Sequence, residues 1–170
     1  MQRLIIILAL ALGAQLLGHA QAAAADTVAV FPFELLDSSQ EGEIILKVKP
    51  EETKRLELLA LDLAKRLAET KRFEVVPVTG LAAEFKAAAP LHKCNGCEVD
   101  LAKKSGAKYA MLGLVQKFSD TLLSVSIQVV DAQTGAIKAY SAGVQGNTDE
   151  AWLRGVSYLV RNRLMEGTAQ

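Results

Sequence analysis

Two cysteines stand three residues apart, as Cys94-Asn95-Gly96-Cys97, and the chain has no others. A C-x-x-C pair supports three kinds of chemistry. It can close as a structural disulfide, cycle as a dithiol or link a partner, or give two thiolates to a metal. Glu98 occupies the position where haem attachment requires histidine, which excludes that chemistry. Zinc needs four ligands. Cys94, Cys97 and His92 leave one missing, because the other histidine, His19, falls in a leader segment. The pair precedes a short helix expected at about residues 98–105, whose backbone N–H groups would stabilise a thiolate. Closing so short a loop contributes only about 2 kcal/mol in the chain-entropy model. A structural disulfide is the first expectation and a redox-active pair the second; no metal and no cofactor is expected.

Other catalytic chemistry finds few residues. A Ser-His-Asp set would have to use His92, and no G-x-S-x-G elbow is present. Gly143-Val144-Gln145-Gly146 lacks the lysine of a phosphate loop. The acidic pairs Glu51-Glu52 and Asp149-Glu150 both open expected helices, where the helix dipole accounts for them. No catalytic residue is assigned.

A different signal lies near the C-terminus. Trp152, Arg154, Tyr158, Arg161, Asn162 and Arg163 fall on one expected helix. Trp, Tyr and Arg are enriched at contact surfaces. These six residues form the candidate partner surface. The competing reading packs Trp152 on a sheet and leaves the arginines solvated at the helix end.

The elements that must position these residues follow from hydrophobic period. Residues 28–33 (VAVFPF) read as a buried strand, with Pro32 marking an edge, a bulge or the strand end. Residues 34–50 read as a long loop with one short strand at 44–48. Leu56, Leu59, Leu63 and Leu67 recur at helical spacing over 51–70, behind Pro50. A second strand over 73–78 completes a parallel βαβ crossover. Short helices are expected at 81–88, ended by Pro90, and at 98–105, ended by Gly106. A third, central strand covers 109–115. Leu123, Val125, Ile127 and Val129 alternate with polar residues in a fourth. A turn at 131–135 returns the chain as a fifth strand over 136–145. The last helix runs over about 149–165, with Asn147 as its cap and Glu150 completing a capping box. The fold class is α/β (α+β). A mixed sheet of about five strands, in the order β-α-β-(α)-α-β-β-β-α, carries helices packed on it and ends in an antiparallel meander.

The first 25 residues are unlike the rest. Arg3, the apolar run 4–12 and the tract Ala22-Ala23-Ala24-Ala25 have the three-part layout of a secretory signal peptide. Spanning a bilayer takes about 20 apolar residues, and Gln15 and His19 interrupt this run. Cleavage is expected near Asp26, leaving residues 26–170 as a single soluble domain outside the cytoplasm. Without Arg3 the balance is 18 basic to 19 acidic residues. That near-neutral charge offers no field for nucleic acid or an anionic membrane.

Three segments carry a resemblance. Residues 28–34 (VAVFPFE) resemble the VAVLPFE opening of TolB amino-terminal-like (CsgG-like) envelope domains. Residues 100–113 (DLAKKSGAKYAMLG) resemble their IARELGVDYVLxG stretch, and 126–135 (SIQVVDAQTG) their xxQLxDAxTG hairpin. A closer likeness is to exported bacterial proteins of unknown function that share CxxC(D/E)xDLA, GxVQKxS and GNTDExWxRGxxxLVRNRL. Here these read as residues 94–102, 113–119 and 146–164. The resemblance implies the fold, and a protein-contact role rather than an activity. It departs from many envelope relatives in lacking a lipid-attachment cysteine after the apolar stretch, which argues against a membrane-tethered role.

The sequence therefore leads to a non-enzymatic periplasmic module that binds another periplasmic or envelope protein. A small thiol–disulfide redox protein using Cys94 and Cys97 is the rival. A small-ligand carrier with a cleft at the strand ends is the third reading.

Overall fold

The computed structural model describes residues 25–45 and 47–165. The expected signal peptide lies outside the described residues, apart from Ala25. Six strands form one mixed sheet: β1 (Asp26–Val30), β2 (Glu34–Asp37), β3 (Phe73–Val76), β4 (Tyr109–Lys117), β5 (Leu122–Asp131) and β6 (Ile137–Gln145). The helices are α1 (Gln40–Ile45), α2 (Pro50–Glu69), α3 (Ala82–Ala88), α4 (Cys97–Ser105) and α5 (Asp149–Leu159), the last running on into a π-helical turn, Val160–Leu164.

The sheet order is β3-β1-β4-β5-β6, with β2 also paired to β4. β1 runs parallel to both β3 and β4, which confirms the βαβ crossover. β4, β5 and β6 form the antiparallel meander. Gly135 closes the β5–β6 turn at φ 73°, the left-handed conformation that favours glycine.

The segment 34–50 differs from the expectation. It holds β2 and α1, not a long loop with a strand at 44–48, and the sheet has six strands rather than about five. The reason is a bulge at Pro32. Val30 pairs with Met111 and Glu34 with Leu114, so three residues on one side oppose two on the other. The chain then resumes pairing along β4. Ser39 starts α1, its hydroxyl accepting from the Gly42 N–H at 3.1 Å.

The sheet has a core on each face. On one, Leu59, Leu63 and Leu67 of α2 and Trp152, Val156 and Leu159 of α5 pack on Val28, Met111, Val125 and Ile127. On the other, Phe85 of α3 and Leu101 and Ala102 of α4 cover Ala29, Phe31, Ala110 and Val130. Close approach is built in at two glycines. A Cβ on Gly113 would overlap the Phe33 ring, and one on Gly155 would lie 2.8 Å from Val144 Cγ2.

Candidate functional sites: the cysteine loop, a buried lysine and the outer side of α5

Cys94 and Cys97 form a disulfide with Cα atoms 5.6 Å apart. Gly96, at φ 94°, turns the chain so that α4 begins at Cys97. Glu98 is buried, and its Oε2 lies 3.1 Å from Cys94 Sγ. A carboxylate so close opposes a thiolate at Cys94, against the effect of the helix N-terminus. Cys94, Cys97 and Glu98 bring their ligand atoms within 4.8 Å of one another. The third donor is thus Glu98, not His92. His92 is held elsewhere: its Nδ1 sits 2.6 Å from Glu34 Oε2, and the same carboxylate accepts the N–H groups of Leu91 and His92.

The sequence reading passed over a second cluster. Lys117 is fully buried at the end of β4. Its Nζ lies 3.0 Å from Glu52 Oε1, 3.1 Å from Asp120 Oδ1 and 3.4 Å from Asp37 Oδ2. Asn147 donates to Glu52 at 3.2 Å and accepts from Arg55 at 3.0 Å. Arg55 also pairs with Asp149 at 2.7 Å and lies over the Trp152 ring at 5.7 Å. The cluster ties β2, α2, the β4–β5 turn and the start of α5 into one unit. Its central charge is surrounded by carboxylates. Asn147 is therefore not the helix cap. Thr148 takes that place, its hydroxyl accepting from the Ala151 N–H at 3.2 Å, and the expected capping box is absent. One signal was available. Lys117 follows Gly113 and Val115 at the two-residue spacing of a strand, which puts it on their buried face.

The candidate partner surface divides. Trp152 is fully buried and packs against the sheet, so it contributes no contact area. Burial of its large ring follows from helical spacing, which puts it in line with Val156, Leu159 and Val160. Arg154, Tyr158, Arg161, Asn162 and Arg163 are exposed. Asn162 donates to the Tyr158 carbonyl at 2.9 Å and Arg161 to the Ser157 carbonyl at 3.4 Å. Arg154 and Tyr158 line an open groove with Ser141, Gly143 and Gln145 of β6.

These features define a mixed-sheet α/β module with a disulfide-clipped loop and a polar helix face beside an edge strand. The chain belongs to the DUF3280 family, described as "Protein of unknown function (DUF2380)", whose pattern matches residues 26–164. No curated protein matches it in sequence. Among solved structures it is similar to LpoB of Escherichia coli, with TM-score 0.51, 15% identity, and coverage of 73% of this chain and 58% of that one. It is also similar to the LpoB C-terminal domain of Salmonella enterica, with TM-score 0.47, 18% identity, and 74% and 87% coverage. For the PelC dodecamer of Paraburkholderia phytofirmans the values are 0.48, 14%, and 81% and 86%. At these identities the likeness is one of fold. No helix among the described residues is long and apolar enough to cross a membrane.

Proposed function

We propose that this chain is exported, loses its leader near Asp26, and works as a non-enzymatic module that binds another periplasmic or envelope protein through the outer side of α5. One observation carries the reading: the two sides of α5 differ sharply in burial. Trp152, Val156, Leu159 and Val160 are buried beneath it, while Arg154 and Tyr158 stand exposed along the groove beside β6. A surface that can change without disturbing the core is what a contact module requires. The resemblance of residues 28–34, 100–113 and 126–135 to TolB amino-terminal-like domains supports the same assignment.

The double variant Arg154→Glu, Arg161→Glu tests it. Exposed charges contribute little to stability, so the melting temperature should hold while capture of a periplasmic partner is lost. Undiminished capture refutes the reading. Intact-mass measurement of the exported product should place its N-terminus within three residues of Asp26.

The redox reading draws support from the half-buried disulfide at the start of α4. The Glu98 carboxylate works against it, because it raises the cost of a thiolate at Cys94. Counting free thiols under graded redox buffers separates the two. A pair that stays oxidised to strongly reducing potentials belongs to the binding module.

A further inference from the structure

The β6 edge has two features that together call for a second strand. The first is its register. The Gly146 N–H donates to the Thr121 carbonyl at 3.1 Å and the Asp131 N–H to the Ala136 carbonyl at 2.9 Å. In an antiparallel pair, hydrogen-bonded positions alternate with positions whose N–H and C=O point the other way. With those two pairs as anchors, Lys138, Tyr140, Ala142 and Val144 bond inward to β5. Ala139, Ser141, Gly143 and Gln145 then direct their N–H and C=O groups outward from the sheet. Among the described residues β6 pairs only with β5, so this row of donors and acceptors has no strand beside it.

The second feature is the weak protection of this edge. Sheets blunt their edges with short strands, proline, charge or a bulge. The opposite edge, β3, follows the rule: it has four residues and is followed by Pro77. β6 has nine residues, no proline, an unbroken register with β5, and a single charged side chain, Lys138, near its start. Its outward positions are small or neutral. A Cβ added to Gly143 would meet nothing within 4 Å, so the fold itself gives no reason for glycine there.

We propose that the β6 edge, resting on the binding-module reading, accepts an extended segment of the partner protein as a seventh strand, and that this segment carries a carboxylate toward Arg154. Arg154 is the one charged residue lining the groove that runs along β6, and Tyr158 stands beside it. Outward backbone groups supply the affinity in such strand addition, and side-chain pockets supply the specificity. The charge also argues against a second copy of this chain. Antiparallel β6–β6 pairing about a two-fold axis would put both α5 helices on one face, with two Arg154 side chains turned to the same seam. A strand bearing Asp or Glu meets the opposite sign.

The test uses the exported, oxidised protein and a random-peptide display library. Selected binders should alternate β-branched and polar residues and include an acidic position. In amide exchange they should protect Ala139, Ser141, Gly143 and Gln145. Gly143→Pro removes one outward N–H and leaves the β5 ladder intact; it should weaken binding by about tenfold or more. Arg154→Glu should weaken acidic binders to a similar degree, and replacing their acid with lysine should do the same. No binder, binders without acidic preference, or binding that survives Gly143→Pro overturns the proposal. A dimer abolished by Gly143→Pro assigns the edge to a second copy and also overturns it. If charge reversal on α5 abolishes partner capture while Gly143→Pro does not, the binding module stands and strand addition fails.

Discussion

Lys117 Nζ lies 3.0 Å from Glu52 Oε1, with the lysine wholly buried and the glutamate 1% exposed. Sixty-five residues separate them in sequence. The pair joins the end of the central strand to the first turn of α2.

Removing one partner of a buried pair leaves an uncompensated charge and costs about 3–5 kcal/mol. Lys117→Met is therefore expected to lower stability by that order, with Glu52, Asp37 and Asp120 left around an apolar side chain. Adding Glu52→Gln should restore part of the loss. Urea denaturation of the two variants measures both; a single variant as stable as the parent would refute the structural role.

Acid should loosen the same cluster. Burial raises the Asp37 carboxyl, but the hydroxyl and N–H of Ser39 and the charge of Lys117 outweigh it and hold it below the ordinary 3.8. The hydrogen bond and charge of Lys117 hold Asp120 below 3.8 as well. Both groups are more acidic folded than unfolded. Their stabilisation is present above about pH 4 and is lost as pH falls through the folded values. Lys117 shifts the other way: burial favours the neutral amine, but bonds to Glu52 and Asp120 outweigh it and raise it above 10.5. Its contribution is complete below pH 10.5 and is lost only at higher pH. The melting temperature should therefore fall below about pH 4, and Asp37→Asn should flatten that fall.

Gly113 and Gly155 hold their neighbours by having no side chain. Gly113→Ala would drive a methyl into the Phe33 ring, and Gly155→Val would push α5 off Val144 and Val125. Overpacking of this kind costs about 1–3 kcal/mol. In a helix, loss of glycine returns up to about 1 kcal/mol, so Gly155→Ala should lie nearer the parent than Gly155→Val. Thermal melts of the three variants test the order.

The disulfide closes a very short loop, so Cys94→Ser with Cys97→Ser should cost only about 2 kcal/mol. Partner capture should persist. Loss of capture with an unchanged fold would move function to the cysteine loop.

Much of the architecture was legible because it follows from local period. The leucine stripe of α2 needs a sheet to cover it, and the alternation of β5 with the Asp131–Gly135 turn needs a returning strand. β2 was not legible. Glu34–Asp37 has no strand period of its own and is extended because the Pro32 bulge delivers it to β4. Asn147 shows the same limit: a side chain suited to capping is taken up by Glu52 and Arg55 from a helix nearly a hundred residues earlier.

The sequence by itself determined most of the elements, made a Cys94–Cys97 disulfide the first expectation, and set the apolar stripe of the last helix. Each depends on residues close together in the chain, where spacing alone decides who faces whom. Only the tertiary structure decided that Lys117 is enclosed by carboxylates, that Asn147 is taken up by Glu52 and Arg55, and that Arg154 lines a groove beside β6. Those outcomes depend on which distant segments share a sheet face, and long-range pairing is set by burial and strand register together, not by local period.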